Sequence, residues 1–399
     1  MRRVARDLTD SVEALRGPLP HAAAAGGTML DVQEMEVNFG PQHPSTHGVL
    51  RVVVKVDGER IVEAKPVIGY LHRGTEKLFE KMNYPLCVPH TDRMDYIAAA
   101  TNNLGYVEAV EKLMGIRDQI PRRAQIIRVM LAELQRISSH LLWLATHAID
   151  LGAMTPFFYA FREREEVLDL FEEYCGARLT LNCMKIGSQP YDVTPRWLEK
   201  LEAFLAKFDA AVDEYESLLT NNRIWKRRTV GIGVISPEEA IDWGLTGPPL
   251  RASGVEFDLR KVMPYEIYGE LDFEVPLGRQ GDTFDRYLVR MEEMRQSARI
   301  LRQCAPKVRE TPEGELKAKI SRVIRPPEGD VYHSIEGPKG ELGYYIVADG
   351  KAQNAYRIHV RPPSFNNLQA LPALAKGHLV SDLVALIGTI DIVLGEVDR

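Results

Sequence analysis

The sequence predicts an α+β protein with a central bundle of long α-helices, a small N-terminal antiparallel β-sheet and a C-terminal α/β portion. Three observations predict it. Residues 49–56 and 61–67 alternate apolar and polar side chains around Asp57-Gly58, a pair that favours a tight hairpin turn. Helical spacing of apolar residues then dominates from about residue 75 to 219. It is clearest over 123–148, where Ile127, Met130, Leu131, Leu134, Ile137, Leu141 and Leu144 form one stripe. Strand-like segments return at 331–335, 343–347 and 356–360.

Taken in order, residues 1–16 read as a short amphipathic helix carrying Val4, Leu8, Val12 and Leu15, followed by a Gly/Pro/Ala-rich linker over 17–27. Docking to a partner and simple disorder are both open for this arm. The stretch 38–48 is too rich in Gly and Pro for a regular element and must be a loop between strands. Residues 157–175 and 195–219 make two more long helices, with Pro121 and Pro156 near helix starts, where a missing N–H costs little. A short helix is expected over 237–243, a long one over 282–304 and a last one over 368–387. The organisation is then an arm and linker (1–30), the N-terminal sheet with its loop (31–70), the helical core (71–305) and a C-terminal portion completing that core (306–399).

Composition excludes several functions. A net charge of −6 over 399 residues offers no basic face for nucleic acid. No run approaches the roughly 20 apolar residues of a membrane span, and the best candidate, 383–395, contains Asp391. Arg2, Arg3 and Arg6 are followed by Asp7, Asp10 and Glu13 rather than an apolar segment, so no secretory signal is expected. Cys87, Cys175, Cys183 and Cys304 form no C-x-x-C pair, and neither dinucleotide nor P-loop glycine patterns occur. The chain is therefore expected to hold no metal, and any electrons must arrive from elsewhere.

Several residues could carry chemistry. His43 and His47 lie in the Gly/Pro-rich loop, where imidazoles can donate protons near neutral pH or simply be exposed. Arg73 stands at a strand-to-helix junction, suited either to facing a reduced group or to a helix-start salt bridge. Asp92-Arg-Met-Asp-Tyr96 is expected to open the next helix, with its carboxylates at the positive end of the dipole. His140 and His147, seven apart on one helix, suit packing better than shared chelation; Asp150 ends that helix beside Gly152.

Together, Asn38-Phe-Gly-Pro-Gln-His-Pro-Ser-Thr-His-Gly48, His72-Arg-Gly-Thr-Glu-Lys77, Asp92-Arg-Met-Asp-Tyr96, His147-Ala-Ile-Asp-Leu-Gly-Ala-Met-Thr-Pro156, Thr220-Asn-Asn-Arg-Ile-Trp225, Leu250-Arg-Ala-Ser-Gly254, Glu292-Glu-Met-Arg-Gln-Ser297 and Gly395-Glu-Val-Asp-Arg399 resemble one family, from about residue 31 onward. It is the 49-kDa (D) subunit family of respiratory complex I. The resemblance implies a peripheral-arm subunit on the cytoplasmic side of the cell membrane, inactive alone. With a neighbouring cluster-bearing subunit it would form the site of quinone reduction, coupled to proton translocation. His47 and Tyr96 would face the quinone head group, and Asp150 would pair with the loop histidine. Arg73 would lie beside the partner's terminal [4Fe-4S] cluster, with His43 and Thr180 grouped with it. FMN and further iron–sulfur clusters would belong to partner subunits, among them a 30-kDa-type (C) subunit, and a membrane-arm subunit would meet the quinone entrance. The alternative is a quinone-site or scaffold subunit of a related complex fed by ferredoxin or another carrier.

The family is also similar to the large subunit of nickel–iron hydrogenases, which implies that fold. Where those enzymes place four cysteines, this chain has Asp95, Ala98, Val393 and Glu396, a set unable to replace soft thiolates. It departs from its relatives at Thr180, where many have histidine, at 185–191, and in a shortened 306–328 region that lacks a histidine-bearing helix.

Overall fold

The computed structural model describes residues 34–42 and 48–399. The expected N-terminal helix and linker, and both loop histidines, His43 and His47, lie outside the described residues. Residues 35–399 form one compact unit.

The unit opens with strands β1 (Met35–Phe39), β2 (Arg51–Asp57) and β3 (Arg60–Val67), antiparallel in the order β1-β2-β3. Asp57 pairs with Arg60 across the predicted turn, and Gly58 takes the left-handed φ of 59° that such a turn needs. Helices α1 (Thr75–Phe79), α2 (Tyr84–Thr91), α3 (Ala99–Met114), α4 (Arg122–Asp150), α5 (Thr155–Cys175) and α6 (Pro195–Leu219) follow. Shorter helices α7 (Arg223–Thr229), α8 (Pro237–Asp242), α9 (Pro248–Ala252) and α10 (Leu259–Val262) lead to the long α11 (Thr283–Arg309). A second antiparallel sheet, β4 (Glu328–Gly337), β5 (Gly340–Asp349) and β6 (Arg357–Arg361), precedes α12 (Pro363–Leu368), α13 (Leu371–Ala375), α14 (Val380–Ile390) and α15 (Leu394–Asp398).

The predicted stripe on α4 is fully buried, each side chain contributing roughly 1.5–3 kcal/mol of burial. So is much of the opposite face: Arg128, Glu133, Arg136 and His140 are buried too. Helix α4 packs on α3, α5, α11 and α14, so its polar residues have no water and must find partners in the protein. A second core joins the N-terminal sheet to the C-terminal helices, with Val52, Val54, Val56 and Ile61 against Leu371, Leu383, Leu386 and Ile390.

Three expectations are corrected. Helix α11 runs five residues past the predicted end, to Arg309, because Pro306 falls in the last turn, where one lost backbone bond is tolerated. The single helix expected over 368–387 is broken into two, α13 and α14, with Leu368 ending α12. Its break follows from the tertiary structure: Gly377 N–H donates to the Ile61 carbonyl and Ile61 N–H to the His378 carbonyl, so this stretch extends the edge of β3. Finally, residues 92–96 do not open a helix. Asp92 caps the C-terminal end of α2, and α3 starts only at Ala99, leaving a tight connecting turn.

Candidate functional site: a pinned turn beside a buried ionic cluster

The turn at 92–96 is held at both ends. Asp92 is fully buried; its carboxylate accepts from Asn103 Nδ2 at 2.6 Å and from the Asn182 N–H at 2.9 Å. Asp95 accepts from the Ile97 N–H at 3.2 Å and pairs with Lys339 Nζ at 3.1 Å. Tyr96, next to Asp95, is 42% exposed, so the core packing usual for tyrosine does not apply. Partial burial and the charge of Asp95 raise its phenol above the ordinary value, Lys339 and Arg73 pulling the other way. At neutral pH it is a protonated donor.

Arg73 reaches this turn from the other side. The segment before it is clamped to α15, because Gly69 and Leu71 N–H donate to the Asp398 carboxylate at 2.8 and 2.6 Å. Arg73 donates to the Arg93 carbonyl. The helix-start salt bridge open to it in the sequence is made instead by Glu76, which pairs with Arg357, His359 and Arg399. Helix α15 lies directly on the turn: a methyl group at Gly395 would stand 2.6 Å from the Met94 carbonyl oxygen. One at Gly48, the described end of the histidine loop, would stand 3.8 Å from Leu394 Cδ1.

Thr180 is exposed, two residues before the Asn182 that holds Asp92, so its loop borders the same turn. Asp150 is the partly exposed last residue of α4. One turn earlier His147 is buried between Trp143 and Trp225, with ring centroids at 5.1 and 5.5 Å, and packs on Gly388 of α14. His140 is a packing residue too, 2.8 Å from Glu293. The structure thus gathers Arg73, Tyr96 and the Thr180 loop around one turn.

Beneath it lies what the sequence did not reveal. Lys339 occupies the tip of the β4–β5 hairpin, a position that usually faces water, yet it is buried. Its ammonium donates to Ser139 Oγ at 3.1 Å and lies 3.8 Å from Asp391 Oδ2. Burial opposes its charge, but Asp391, Asp95 and Glu396 outweigh that and hold it protonated. A lysine after proline in a hairpin turn carries no pattern that could have announced this.

A separate lattice runs through the helical core. Arg251 joins Glu293 and Glu336, each at 2.7 Å, while Arg260 joins Asp258 at 2.6 Å and Glu133 at 3.1 Å. Among the described residues no cluster of His, Cys, Asp and Glu has the arrangement to hold a metal ion. Burial pushes the Cys87 thiol up to about 11 and raises Cys183 well above the usual thiol range. No helix among the described residues is long and apolar enough to cross a membrane.

Residues 150–399 match the family of the respiratory-chain NADH dehydrogenase 49 Kd subunit. The chain is 56% identical over 372 residues to the D 2 subunit of NADH-quinone oxidoreductase from Solibacter usitatus, covering 93% of this chain and 99% of that protein. It is 51% identical over 393 residues to the D subunit of NADH-quinone oxidoreductase from Geobacter sulfurreducens, covering 93% and 100%. The D 2 subunit from Thermodesulfovibrio yellowstonii is 51% identical over 389 residues, covering 91% and 96%. Identity of this extent over more than nine-tenths of the chain makes it a member of the 49-kDa (D) subunit family of NADH-quinone oxidoreductase.

Proposed function

We propose that this chain works in the peripheral arm of a proton-translocating NADH:quinone oxidoreductase, where it forms the quinone-reduction site with a neighbouring cluster-bearing subunit. The observation that carries the reading is the exposed, protonated Tyr96 on a turn pinned at both ends, with the Arg73 guanidinium on the same turn. Reduction of a quinone to a quinol consumes two protons, and a positioned phenol and imidazole are apt donors. Tyr96 would supply one and His47 the other, with Asp150 orienting the loop histidine. Electrons from NADH would reach the site through FMN and iron–sulfur clusters in partner subunits. Arg73, with His43 and Thr180 grouped beside it, would face the terminal [4Fe-4S] cluster, stabilising negative charge that develops nearby.

A nickel–iron hydrogenase large-subunit-like ancestry would put Asp95 and Glu396 at two former cysteine positions; Asp95 now pairs with Lys339, and Glu396 lies in the field of both. The partners would be the terminal-cluster subunit, a 30-kDa-type subunit and a membrane-arm subunit, on the cytoplasmic side of the membrane.

The test is quinone reductase activity of the assembled complex carrying Tyr96→Phe or His47→Ala. Loss of one proton donor should lower kcat by about 10²-fold or more, with electron entry to an artificial acceptor unchanged. Unchanged quinone rates in both variants would sink the assignment. The subunit content of the purified complex tests the electron donor: absence of flavin-bearing NADH-oxidising subunits would overturn NADH as its source.

A further inference from the structure

The cluster behind Tyr96 contains an imbalance of charge. Three buried carboxyl groups converge on it, Asp95 from the pinned turn, Asp391 from the end of α14 and Glu396 from α15. Two buried cations face them: Lys339 from the β4–β5 hairpin, and Arg290 of α11, whose charge acts on Asp391. His140 also faces Asp391, and burial lowers its affinity for a proton, so it adds no reliable charge. Arg73 approaches Gly395 from outside, but it is exposed and screened by water. If all three acids were ionised, one negative charge would be left unpaired in a dry site, which is strongly disfavoured.

The ion pairs point to the acid that holds the extra proton. Asp95 is paired with Lys339 at 3.1 Å and accepts a backbone N–H. Asp391 lies 3.8 Å from Lys339 and in the field of Arg290, two cations that offset the effect of its burial, although among the described residues its Oδ2 accepts no hydrogen bond. Glu396, among the described residues, has no cation within ion-pair distance; its Oε2 meets the Ser364 hydroxyl and, at 3.3 Å, the Ser364 N–H. A buried carboxyl with no cation at ion-pair distance and another carboxylate beside it is best accommodated neutral, even though Ser364 donates to it. Burial pushes it up to about 8, the charge of Asp95 adding to this, while Ser364 and Lys339 pull back.

We propose that Glu396 is the proton-bearing member of this cluster and a positioning residue for Tyr96: while it keeps its proton, Tyr96 can give one up, and once it ionises the added charge beside Asp95 opposes formation of the phenolate. This rests on the reading of Tyr96 as a proton donor to quinone. The only proton transferred in the step leaves Tyr96 Oη for the quinone oxygen; Glu396 acts through the field. The route is short, because α15 lies on the backbone of the turn that presents Tyr96, with Gly395 against Met94. The sign follows from the raised folded value. Glu396 is neutral below about pH 8 and ionises as the pH rises through it, so its brake on Tyr96 appears only on the alkaline side.

The experiment compares quinone reductase activity of the assembled complex, from about pH 6 to about pH 10, for wild type, Glu396→Gln, Ser364→Ala and Tyr96→Phe. Glu396→Gln mimics the neutral acid. At about pH 9.5 it should retain roughly tenfold more of its neutral-pH rate than wild type does, with reduction of an artificial acceptor unaltered throughout. Ser364→Ala removes a hydroxyl that favours the ionised form, so its alkaline fall should also move to higher pH, by less. In infrared difference spectra between acid and alkaline samples, a carboxylic-acid C=O band should disappear near pH 8 in wild type and be absent from Glu396→Gln. Superimposable pH profiles for wild type and Glu396→Gln would overturn the proposal. If that variant does not assemble, superimposable profiles for wild type and Ser364→Ala would overturn it instead. A slowed Tyr96→Phe alongside unchanged profiles keeps the quinone-site reading and removes only this inference. An unslowed Tyr96→Phe removes the quinone-site reading itself.

Discussion

Asp92 and Asp258 are the same residue type, equally buried, and they titrate in opposite directions. Asp92, in the turn that presents Tyr96, is pushed up to about 7, because burial outweighs the hydrogen bonds from Asn182 and Asn103 and the charge of Arg93. Asp258, in the lattice of the helical core, is drawn down to about 2; burial raises it, but Arg260 and Arg251 more than compensate. The lesson is that density of charge does not mark a functional site. The core lattice is crowded with ions, yet each acid has an arginine in contact, Glu293 and Glu336 with Arg251 and Glu133 and Asp258 with Arg260, sealed from water. In the turn Asp95 has Lys339, but Asp92 rests on amide and backbone donors, and the phenol of Tyr96 is exposed.

The comparison breaks most visibly at Arg251. Arg251→Met would leave Glu293 and Glu336 buried without their cation, and a loss on the order of 3–5 kcal/mol of stability is expected. Denaturant unfolding measures it, and a loss below about 1 kcal/mol would mean the lattice tolerates an unpaired charge.

Next comes Asp92. Its folded value of about 7 lies above the unfolded one, so the stability tied to its proton is present below about pH 4 and lost as the pH rises through about 7. Asp92→Asn keeps the neutral shape and should flatten the decline in unfolding midpoint between about pH 5 and about pH 8. An identical pH dependence in both proteins would show that Asp92 is already ionised in the fold. Asp258 behaves in reverse: its contribution holds above about pH 4 and fails only as the pH falls toward about 2.

The smallest effect belongs to the exposed surface. Arg178 pairs with Glu165, Asp169 and Glu172 on the outside of α5, where water and salt screen each contact. Arg178→Gln should leave the thermal midpoint unchanged within error. A clear drop would show that this exposed network contributes more than such pairs usually do.

Local patterns carried much of the architecture into the sequence. The hairpin at Asp57-Gly58 and the limits of α6 at Pro195 and Leu219 were legible because turn chemistry and helical spacing act within a few residues. The expected helix start at Asp92 failed because an acid one residue beyond α2 and one at a helix entrance look alike in sequence. Only contacts with Asn103 and Asn182 distinguish them. The break near Gly377 was hidden for the same kind of reason, since it depends on Ile61, more than 300 residues earlier.

By itself, then, the sequence determined the α+β pattern, the spacing of its four cysteines outside any C-x-x-C pair and the motifs that identify the family. The tertiary structure alone decided that Tyr96 stands exposed on a pinned turn, that α4 is buried on its polar side, and that Lys339 enters the core among Asp95, Asp391 and Glu396. The physical reason is range. Turn preference and amphipathic period are set by neighbours in the chain, whereas a buried charge depends on partners that only folding brings together.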